Sequence, residues 1–412
     1  MSVAGRIAER ITRSHRYLKP LLVRGRRAEV LSRSGKPRKS SRTLTIANKD
    51  FVDFATTSYL GLDSDPGVIR ACTDSLQSVG LHRYISRAFF SVREYQILEE
   101  NLARIMSTED AIVFPSATSL HQSLLPLLTN KRTLVVADDQ VHHSMHEALR
   151  ACKDIDLRWI RHDDLDAMDA ALGECPDGTE KLLLADGVYS LSGRQAPVQR
   201  LYRLAVKHDA LLYLDDSHGF GVFGTHGEGV SYLLHGERDH LIYIGSLSKA
   251  IGCYGGFVAA DKALGTAIRD YAGGIMFSGP LPSVLLAGGV AATEILLSGR
   301  LAELQARMWE NQRRVVEVVR AAGWEPLSDE TPIVCVDFTS VNQVETIVKC
   351  LRDHQVLASV VAFPAVPRGH LRIRLSISAN HSGDDIDCLG EALQAARTHS
   401  IQAIDAPIQA AY

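Results

Sequence analysis

Short apolar runs alternate with segments of helical length between residues 60 and 290 of the chain. Six of these runs are bounded by polar residues or glycines, a pattern typical of strands buried in a sheet. They are Ala111–Phe114, Thr133–Ala137, Lys181–Asp186, Ala210–Asp215, Leu241–Gly245 and Gly256–Ala260. The helical segments include Ser64–Val79, Leu165–Leu172 and Val198–Lys207. Alternating strands and helices predict an α/β domain with a largely parallel sheet, expected to have seven strands.

The chain on either side of this region has a different pattern. A long amphipathic helix, Gly299–Ala322, leads out of the α/β domain. Two further strands, Ile333–Phe338 and Leu371–Ser378, then predict a smaller α+β carboxy-terminal domain. Before the α/β domain, two short apolar runs around residues 48–50 are typical of a hairpin. We therefore expect an arm and hairpin over residues 1–56, a large domain over 57–295 and a small domain over 296–412.

Charge is distributed unevenly. The 412 residues carry a net charge of −3, yet residues 1–45 hold thirteen Lys and Arg against two Glu, which leaves −14 on the remainder. This balance excludes a nucleic-acid-binding surface spread over the whole chain. We interpret the basic arm as a solvated helix and linker. A mitochondrial transit peptide has a similar composition, although Glu9 and Glu29 argue against one, and a local nucleic-acid or membrane contact is the third interpretation.

Two further features of composition bear on location. No apolar run approaches the eighteen residues that a membrane-spanning helix needs, so none is predicted. The seven cysteines are odd in number and include no C-x-x-C pair, which is typical of reduced thiols in a cytoplasmic protein.

Three apparent binding motifs lack the context they need. Gly219–Gly224 matches G-x-G-x-x-G, but four polar residues separate it from the preceding strand and no helix can follow it. His142 and His146 have zinc-ligand spacing, yet no general-base Glu follows the first His and no third ligand is apparent, so we predict no metal. Lys249 precedes its glycines, the reverse of a nucleotide-binding P-loop.

Three other motifs follow predicted strands, at the edge where open α/β sheets bind ligands. Asp215 and His218 suit a planar heterocycle with a basic ring nitrogen and a phenolic oxygen. Lys249, preceded by Ser246 and Ser248, suits a Schiff-base lysine beside a phosphate. Residues 116–119 begin a helix whose N–H groups can hold that phosphate. Each motif alone also fits an ordinary loop acid, surface lysine or helix cap, but their order is that of pyridoxal-phosphate enzymes of the aspartate-aminotransferase fold type.

At this point the chain resembles the α-oxoamine synthases, the family of 8-amino-7-oxononanoate synthase, 2-amino-3-ketobutyrate ligase, 5-aminolevulinate synthase and serine palmitoyltransferase. The likeness runs from about Thr57 to Ala396. Its motifs are Tyr59-Leu-Gly-Leu, Asp138 to His142-His-Ser, Gly187-Val-Tyr-Ser190-Leu-Ser-Gly, Leu214-Asp-Asp-Ser-His-Gly-Phe-Gly, Gly245-Ser-Leu-Ser-Lys-Ala-Ile-Gly, Met276-Phe-Ser278, Pro364-Ala-Val-Pro367 and Arg372-Ile-Arg374-Leu-Ser-Ile-Ser-Ala-Asn-His381. The resemblance implies a pyridoxal-phosphate transferase of fold type I.

The resemblance also implies roles for individual residues. Lys249 binds the cofactor covalently, Asp215 pairs with the pyridinium nitrogen, His218 contacts the ring oxygen and His142 stacks on the ring. These four are the predicted catalytic residues. The remaining cofactor-binding residues are Ser190, close to the ring, and Ala117, Thr118, Ser246 and Ser278, around the phosphate. Arg374 would bind the amino-acid carboxylate, and Ser58 and Tyr59 are the other predicted substrate-binding residues.

The sequence departs from the family pattern near the substrate. Ser58 replaces the asparagine that usually helps to seat the amino acid, and residues 116–121 replace the usual Ser-Gly-aromatic-Ala-Asn loop. The segment Leu81–Phe90 lacks the usual glycines, and Ala362-Phe363 stands where an arginine is common. Several of these changes are similar to those in the aminoketone autoinducer synthases, a divergent branch. They leave the amino acid and the acyl donor open.

The reaction implied is a decarboxylative Claisen condensation of an amino acid with an acyl thioester, either acyl-CoA or an acyl-carrier protein. A homodimer is expected, because Ser278 would act across a subunit interface. Two alternatives remain: an aminotransferase or lyase of the same fold, and a partner subunit without cofactor. His218 stands where aminotransferases usually carry a tyrosine, and the retention of Lys249, Asp215 and Arg374 argues against a cofactor-free subunit.

Overall fold

The computed structural model describes residues 42–46, 48–81, 86–176, 178–363 and 365–402. Predictions for the basic arm before residue 42, for residues 82–85 and for Pro364 therefore lie outside the described residues. The described strands, in chain order, are β1 (Thr43–Ile46), β2 (Lys49–Asp53), β3 (Asp110–Phe114), β4 (Thr133–Asp138), β5 (Asp156–Ile160), β6 (Glu180–Asp186), β7 (Leu211–Asp215), β8 (Leu241–Ser246), β9 (Gly256–Ala260), β10 (Ile333–Phe338), β11 (Val356–Leu357), β12 (Ser359–Ala362) and β13 (Leu371–Ser376).

The four predicted helices begin and end close to their predicted positions, and eight more are present in the described residues. In chain order they are α1 (Pro66–Val79), α2 (Arg93–Met106), α3 (Ala117–Leu128), α4 (His143–Ala151), α5 (Leu165–Gly173), α6 (Val198–Lys207), α7 (Lys262–Tyr271), α8 (Gly273–Met276), α9 (Ser283–Leu296), α10 (Arg300–Ala321), α11 (Val341–Asp353) and α12 (Gly383–Gln402). Leu62–Ser64 and Gly229–Leu234 form 3₁₀ turns. None of these helices is by itself long and apolar enough to cross a membrane; only α9 and α10 together meet those criteria, and they are bent by 87° at their junction.

The described chain divides into two compact units. The larger unit comprises residues 57–190 and 194–309, and the smaller one takes its described residues from 42–56, 191–193 and 310–402. The boundary between the two units at residues 309 and 310 falls within α10. The predicted end of the large domain at residue 295 stays a prediction.

A seven-stranded sheet forms the centre of the larger unit, in the order β3-β9-β8-β7-β6-β4-β5. The five strands from β8 to β5 are parallel, and β9 runs antiparallel to both of its neighbours. The six predicted strands are confirmed, and the α/β fold class with them. Every residue of β3, β4, β8 and β9 is buried, which explains why these strands read as continuous apolar runs rather than alternating ones.

The smaller unit has two three-stranded sheets and its own apolar core. β10, β13 and β12 form an antiparallel sheet, and β1, β2 and β11 form the other, in which β1 and β2 are the predicted hairpin. The core contains Phe54, side chains of the second half of α10, and residues of β10, α11, β13 and α12. His381 stacks on Phe54 with ring centroids 4.0 Å apart.

Candidate active site

Parallel strands bring several acidic residues to one edge of the large sheet. Asp138, Asp186 and Asp215 are the last residues of β4, β6 and β7, which are consecutive neighbours in the sheet. Asp186 and Asp215 are direct partners in the register of β6 and β7. A pocket opens at this edge within the larger unit, as expected for an open α/β sheet. Its lining includes six of the predicted site residues, Ala117, Thr118, His142, Asp215, His218 and Lys249.

The carboxylate of Asp215 is held by several hydrogen bonds. It is 5% exposed, and its Oδ2 accepts a hydrogen bond from His121 Nε2 at 2.9 Å. Its Oδ1 accepts from the backbone N–H of Ser217 at 3.0 Å and from the hydroxyl of Ser217 at 2.6 Å. Burial would raise the pKa of Asp215, but the interaction with His121 and the Ser217 hydroxyl outweighs it and holds the pKa well below the ordinary value. Asp215 is therefore ionised.

The pKa of Asp186 is shifted in the opposite direction. Burial and the negative charge of Asp215 raise the pKa of Asp186 well above its usual value, although the backbone N–H of His142 donates to it at 3.2 Å. The pKa values of these two neighbouring carboxyl groups are thus shifted in opposite directions. Pairs of carboxyl groups with separated pKa values are characteristic of acid–base sites.

His142 presents a neutral imidazole to the pocket. It is the amino-terminal cap of α4, and its Nδ1 lies 2.6 Å from the hydroxyl oxygen of Ser144. Burial lowers the pKa of His142, and the positive charge of Lys249 lowers it further, against the opposing effect of Asp215. A neutral aromatic ring fixed by its own cap hydrogen bond suits stacking on a flat heterocycle.

The start of α3 forms one wall of the pocket. Ser116 caps this helix, since its hydroxyl accepts the Ser119 backbone N–H at 3.0 Å, and Ala117 and Thr118 follow in the first turn. The first N–H groups of a helix have no carbonyl partner inside it, so they can bind a phosphate. Gly256 at the start of β9 passes close behind: a Cβ at that position would lie 2.5 Å from the backbone nitrogen of Ala117.

The segment after β8 carries the lysine. Lys249 and Ser248 line the pocket, and the Ser248 hydroxyl lies 2.8 Å from that of Ser246. Ser246 is buried at the end of β8 and does not itself line the pocket. The two hydroxyls can therefore act as a pair, with Ser248 facing the cavity.

His218 and Ser58 are each fixed by another side chain. The Tyr59 hydroxyl lies 2.7 Å from His218 Nδ1, and both residues are buried. The Ser58 hydroxyl donates to the Asp63 carboxylate.

Six predicted site residues do not line this pocket: Ser58, Tyr59, Ser190, Ser246, Ser278 and Arg374. Ser278 is half-buried, and its hydroxyl donates to the Gly279 carbonyl at 3.3 Å. Arg374 belongs to the smaller unit, where it is 7% exposed on β13 and donates to the Ser376 hydroxyl at 3.0 Å. The roles assigned to these residues stay predictions.

Sequence reasoning assigned no role to several residues of the site. Asp186, Ser144, Ser217 and Tyr254 line the pocket, and His121 holds Asp215. Asp186 could have been found from the sequence, because, like Asp215, it is an acidic residue at the end of a buried strand. His121 could not, because a histidine in the second turn of an apolar helix is indistinguishable by pattern from a core residue.

The residues present fit pyridoxal phosphate. An ionised carboxylate, an amine, a neutral imidazole and a helix start lie around one pocket, and they match the ring nitrogen, the aldehyde, the ring face and the phosphate of that cofactor. The buried negative charge on Asp215 has a clear use in such a site, because it complements a protonated ring nitrogen.

Comparison with known proteins supports the same conclusion. Residues 49–393 match the family model of class I and II aminotransferases. The 8-amino-7-oxononanoate synthase of Thermosipho melanesiensis is 32% identical over 350 residues, which cover 84% of this chain and 88% of that protein. The 8-amino-7-oxononanoate synthase 1 of Bacillus subtilis is 30% identical over 350 residues, with 84% and 88% covered.

Solved structures give the same fold. A serine palmitoyltransferase of Sphingomonas wittichii superposes with a TM-score of 0.88 at 25% identity, over 97% of this chain and 100% of that one. A serine palmitoyltransferase variant from S. paucimobilis, solved with bound PLP and myriocin, gives a TM-score of 0.87 at 25% identity over 98% and 100%. The aminotransferase or lyase alternative finds no support among these relatives. The chain therefore belongs to the class I and II aminotransferase family, in its α-oxoamine synthase branch of pyridoxal-phosphate-dependent acyltransferases.

Proposed function

We propose that the pocket at the carboxyl edge of the large sheet is where an amino acid condenses with an acyl thioester, acyl-CoA or acyl-carrier protein. The products are an α-aminoketone, carbon dioxide and a free thiol. The observation that carries this proposal is the ionised Asp215 in one pocket with Lys249, because the reaction needs a protonated ring nitrogen and an amine base together.

Bound pyridoxal phosphate supplies the electron sink that makes the α-proton of the amino acid acidic. Asp215 holds the proton on the ring nitrogen. Lys249, which carries the cofactor at rest, removes the α-proton through its Nζ. His142 orients the ring from one face, and His218, itself held by Tyr59, binds the phenolic oxygen.

The condensation forms one carbon–carbon bond and breaks one carbon–sulfur bond and one carbon–carbon bond. A bond forms between the amino-acid Cα and the acyl carbonyl carbon, the carbon–sulfur bond breaks, and the thiolate leaves and takes up a proton. The bond from Cα to the carboxylate then breaks and carbon dioxide is lost, after which a proton returns to Cα. Lys249 Nζ would return that proton.

Further residues complete the proposal. The N–H groups of Ala117 and Thr118, together with the Ser246 and Ser248 pair, bind the phosphate. Ser278 would add a hydroxyl from a second copy of the chain. By the resemblance, Arg374 binds the amino-acid carboxylate, and Ser58 and Tyr59 shape the space beside it.

We further propose that the enzyme is a cytoplasmic homodimer. All seven cysteines are free thiols, which suits a reducing compartment. Near Ser278, Phe277 is 86% exposed and Phe89 and Phe90 are 72% and 70% exposed. The Ser86 hydroxyl donates to the Ile275 carbonyl at 3.3 Å, which brings the segment of these phenylalanines beside Phe277. Such a cluster of exposed aromatic side chains is typical of a protein interface.

The absorption spectrum of the purified enzyme tests this function. Wild type should show the visible band of lysine-bound pyridoxal phosphate, and one amino acid from a panel that includes glycine, alanine and serine should shift it. Lys249→Ala should abolish the band, whereas Lys153→Ala, at an exposed lysine, should leave it unchanged. A band that survives Lys249→Ala would overturn the assignment. Absence of any band from wild type supplied with pyridoxal phosphate would make the cofactor-free subunit the better interpretation.

A further inference from the structure

A buried hydrogen-bond chain lies behind Asp215, outside the pocket lining. His121 on α3 is fully buried, and its two ring nitrogens face two residues of β7. Its Nε2 lies 2.9 Å from Asp215 Oδ2, and its Nδ1 lies 2.8 Å from the Tyr213 hydroxyl oxygen. Tyr213 and Asp215 alternate along β7 with Leu214 between them, so their side chains leave the same face of the sheet.

A neutral His121 gives an arrangement of protons that satisfies every group in this hydrogen-bond chain. Among the described residues, His121 is the one hydrogen-bond partner of the Tyr213 hydroxyl, and Tyr213 is fully buried. A buried phenol that donates its proton has to give it to His121 Nδ1, which leaves the ring proton on Nε2. His121 then donates to Asp215, and that carboxylate can only accept.

We propose that Tyr213 and His121 are positioning residues for the cofactor: together they hold Asp215 with one oxygen lone pair directed at the ring nitrogen of bound pyridoxal phosphate. Asp215 Oδ1 already accepts two hydrogen bonds from Ser217, and Oδ2 accepts one from His121. With about four acceptor positions on a carboxylate, one position on Oδ2 is left for the ring nitrogen. This inference rests on the proposed function, because it concerns the cofactor named there.

The hydrogen-bond chain from Tyr213 through His121 to Asp215 is buried, which explains how Tyr213 can influence Asp215. Hydrogen bonds in a water-excluded interior are stronger and more cooperative than exposed ones, so a tyrosine two bonds away from the cofactor can influence Asp215. Burial and the negative charge of Asp215 raise the pKa of Tyr213 well above the ordinary value, so the phenol keeps its proton for His121. Four other titratable groups face this hydrogen-bond chain. They are Asp186 on β6, His142 and Cys152 at the two ends of α4, and Lys249 after β8.

The pH dependence of the cofactor band measures the effect directly. A positive charge on the ring nitrogen opposes protonation of the conjugated lysine nitrogen. Weaker support for Asp215 should therefore raise the pH midpoint of the visible band. His121→Leu removes the donor to Asp215, so we expect a higher midpoint, weaker binding of pyridoxal phosphate to the apoenzyme and a kcat about tenfold to a hundredfold lower, the usual effect of losing a hydrogen bond to a charged group.

Two further variants separate positioning from folding. His121→Gln can still place an N–H near Asp215 Oδ2, so it should restore most of the wild-type midpoint and affinity. Tyr213→Phe keeps the shape of the core and removes only the phenol, so it should shift the midpoint in the same direction as His121→Leu, by less. The matched control is Tyr243→Phe, in which a fully buried tyrosine on the adjacent β8 loses its 3.0 Å hydrogen bond to Asp216.

The outcomes are distinct. A raised midpoint in His121→Leu and Tyr213→Phe, but not in His121→Gln or Tyr243→Phe, supports the proposal. Wild-type midpoint and cofactor affinity in Tyr213→Phe together with His121→Leu would overturn it, and so would equal shifts in Tyr213→Phe and Tyr243→Phe. If His121→Leu does not fold, Tyr213→Phe and its control decide. Failure of the wild-type protein to bind pyridoxal phosphate would instead reject the proposed function.

Discussion

Asp215 and Asp216 are adjacent in the chain, yet their carboxyl groups are in opposite protonation states. Asp215 is ionised because His121 and Ser217 donate to it, whereas burial raises the pKa of Asp216 to about 8 despite hydrogen bonds from Val230 and Tyr243. Asp216 also lies against glycine backbone, since a Cβ at Gly229 would lie 2.0 Å from its carboxylate. Asp215 thus lines the pocket, whereas Asp216 packs against the loop that contains Gly229.

The pKa of Asp216 predicts a pH-dependent stability. Because the folded-state pKa of about 8 exceeds the ordinary value of 3.8, the folded protein binds more protons in this window. The contribution of Asp216 to the free energy of unfolding is therefore complete below about pH 4 and lost as the pH rises through 8, by at most roughly 1.4 kcal/mol per pH unit. Asp216→Asn, which cannot ionise, should flatten this decline in denaturant titrations between pH 5 and 8.

The control for this prediction is Asp239→Asn, at an exposed position before β8. It should retain the wild-type slope of stability against pH. An unchanged slope in Asp216→Asn would show that Asp216 is ionised in the folded state.

The location of residues in the pocket was predictable where a side chain follows a strand, and only partly elsewhere. Asp215, His218 and Lys249 occur in motifs with fixed spacing, so the sequence was enough to select them. The part played by His121 depends on how α3 packs over β7, and the raised pKa of Asp186 depends on the register between β6 and β7. Neither relation is local in the sequence.

At the scale of elements, the pocket depends on how closely β9 approaches α3. Gly256→Ala would place a Cβ 2.5 Å from the Ala117 nitrogen, so the start of α3 has to move. We expect weaker binding of pyridoxal phosphate in equilibrium titration and a loss of about 1–3 kcal/mol in stability, as for other overpacked sites. Gly299→Ala, where nothing lies within 4 Å, should change neither, and a wild-type affinity in Gly256→Ala would argue against the phosphate role of this helix start.

A buried ionic network ties the helices around β3. Glu99 on α2 pairs with Arg87 at 2.9 Å and with Arg269 on α7 at 3.0 Å, and it accepts the Val113 backbone N–H at 2.9 Å. Glu99→Ala leaves these donors without their carboxylate, so we expect a loss of about 3–5 kcal/mol in the free energy of unfolding. Glu100→Ala, at an exposed neighbour bonded to Gln96, should cost far less, and similar losses in both variants would refute the role of the network.

Element boundaries followed the sequence except where polar chemistry decided them. α1 begins at Pro66 rather than at the predicted Ser64, because Asp65 caps the helix and proline suits its first position. β5 was not predicted: it is a partly exposed edge strand whose sequence, Asp-Leu-Arg-Trp-Ile, is interrupted by charges. The antiparallel direction of β9 also could not be inferred, since a buried strand reads the same in either direction.

At the scale of the whole molecule, the exposed aromatic cluster predicts a second copy. Phe277→Asp should weaken the dimer in sedimentation equilibrium, because it places a charge in an apolar interface, and should lower cofactor affinity if Ser278 acts across that interface. Val206→Asp, at a residue 48% exposed on α6, is the control. A monomeric wild-type protein, or a Phe277→Asp variant that dimerises as tightly as wild type, would contradict this assignment.

We propose that this chain condenses an amino acid with an acyl thioester through Lys249 and Asp215. The most direct test of this proposal is to incubate the enzyme, loaded with pyridoxal phosphate, with carboxyl-labelled amino acids and acyl thioesters, and to measure labelled carbon dioxide and free thiol in the same sample. We expect equal amounts of carbon dioxide and free thiol for at least one combination of amino acid and acyl thioester. We expect neither product from Lys249→Ala. Thiol without carbon dioxide, or carbon dioxide without thiol, would contradict the proposal.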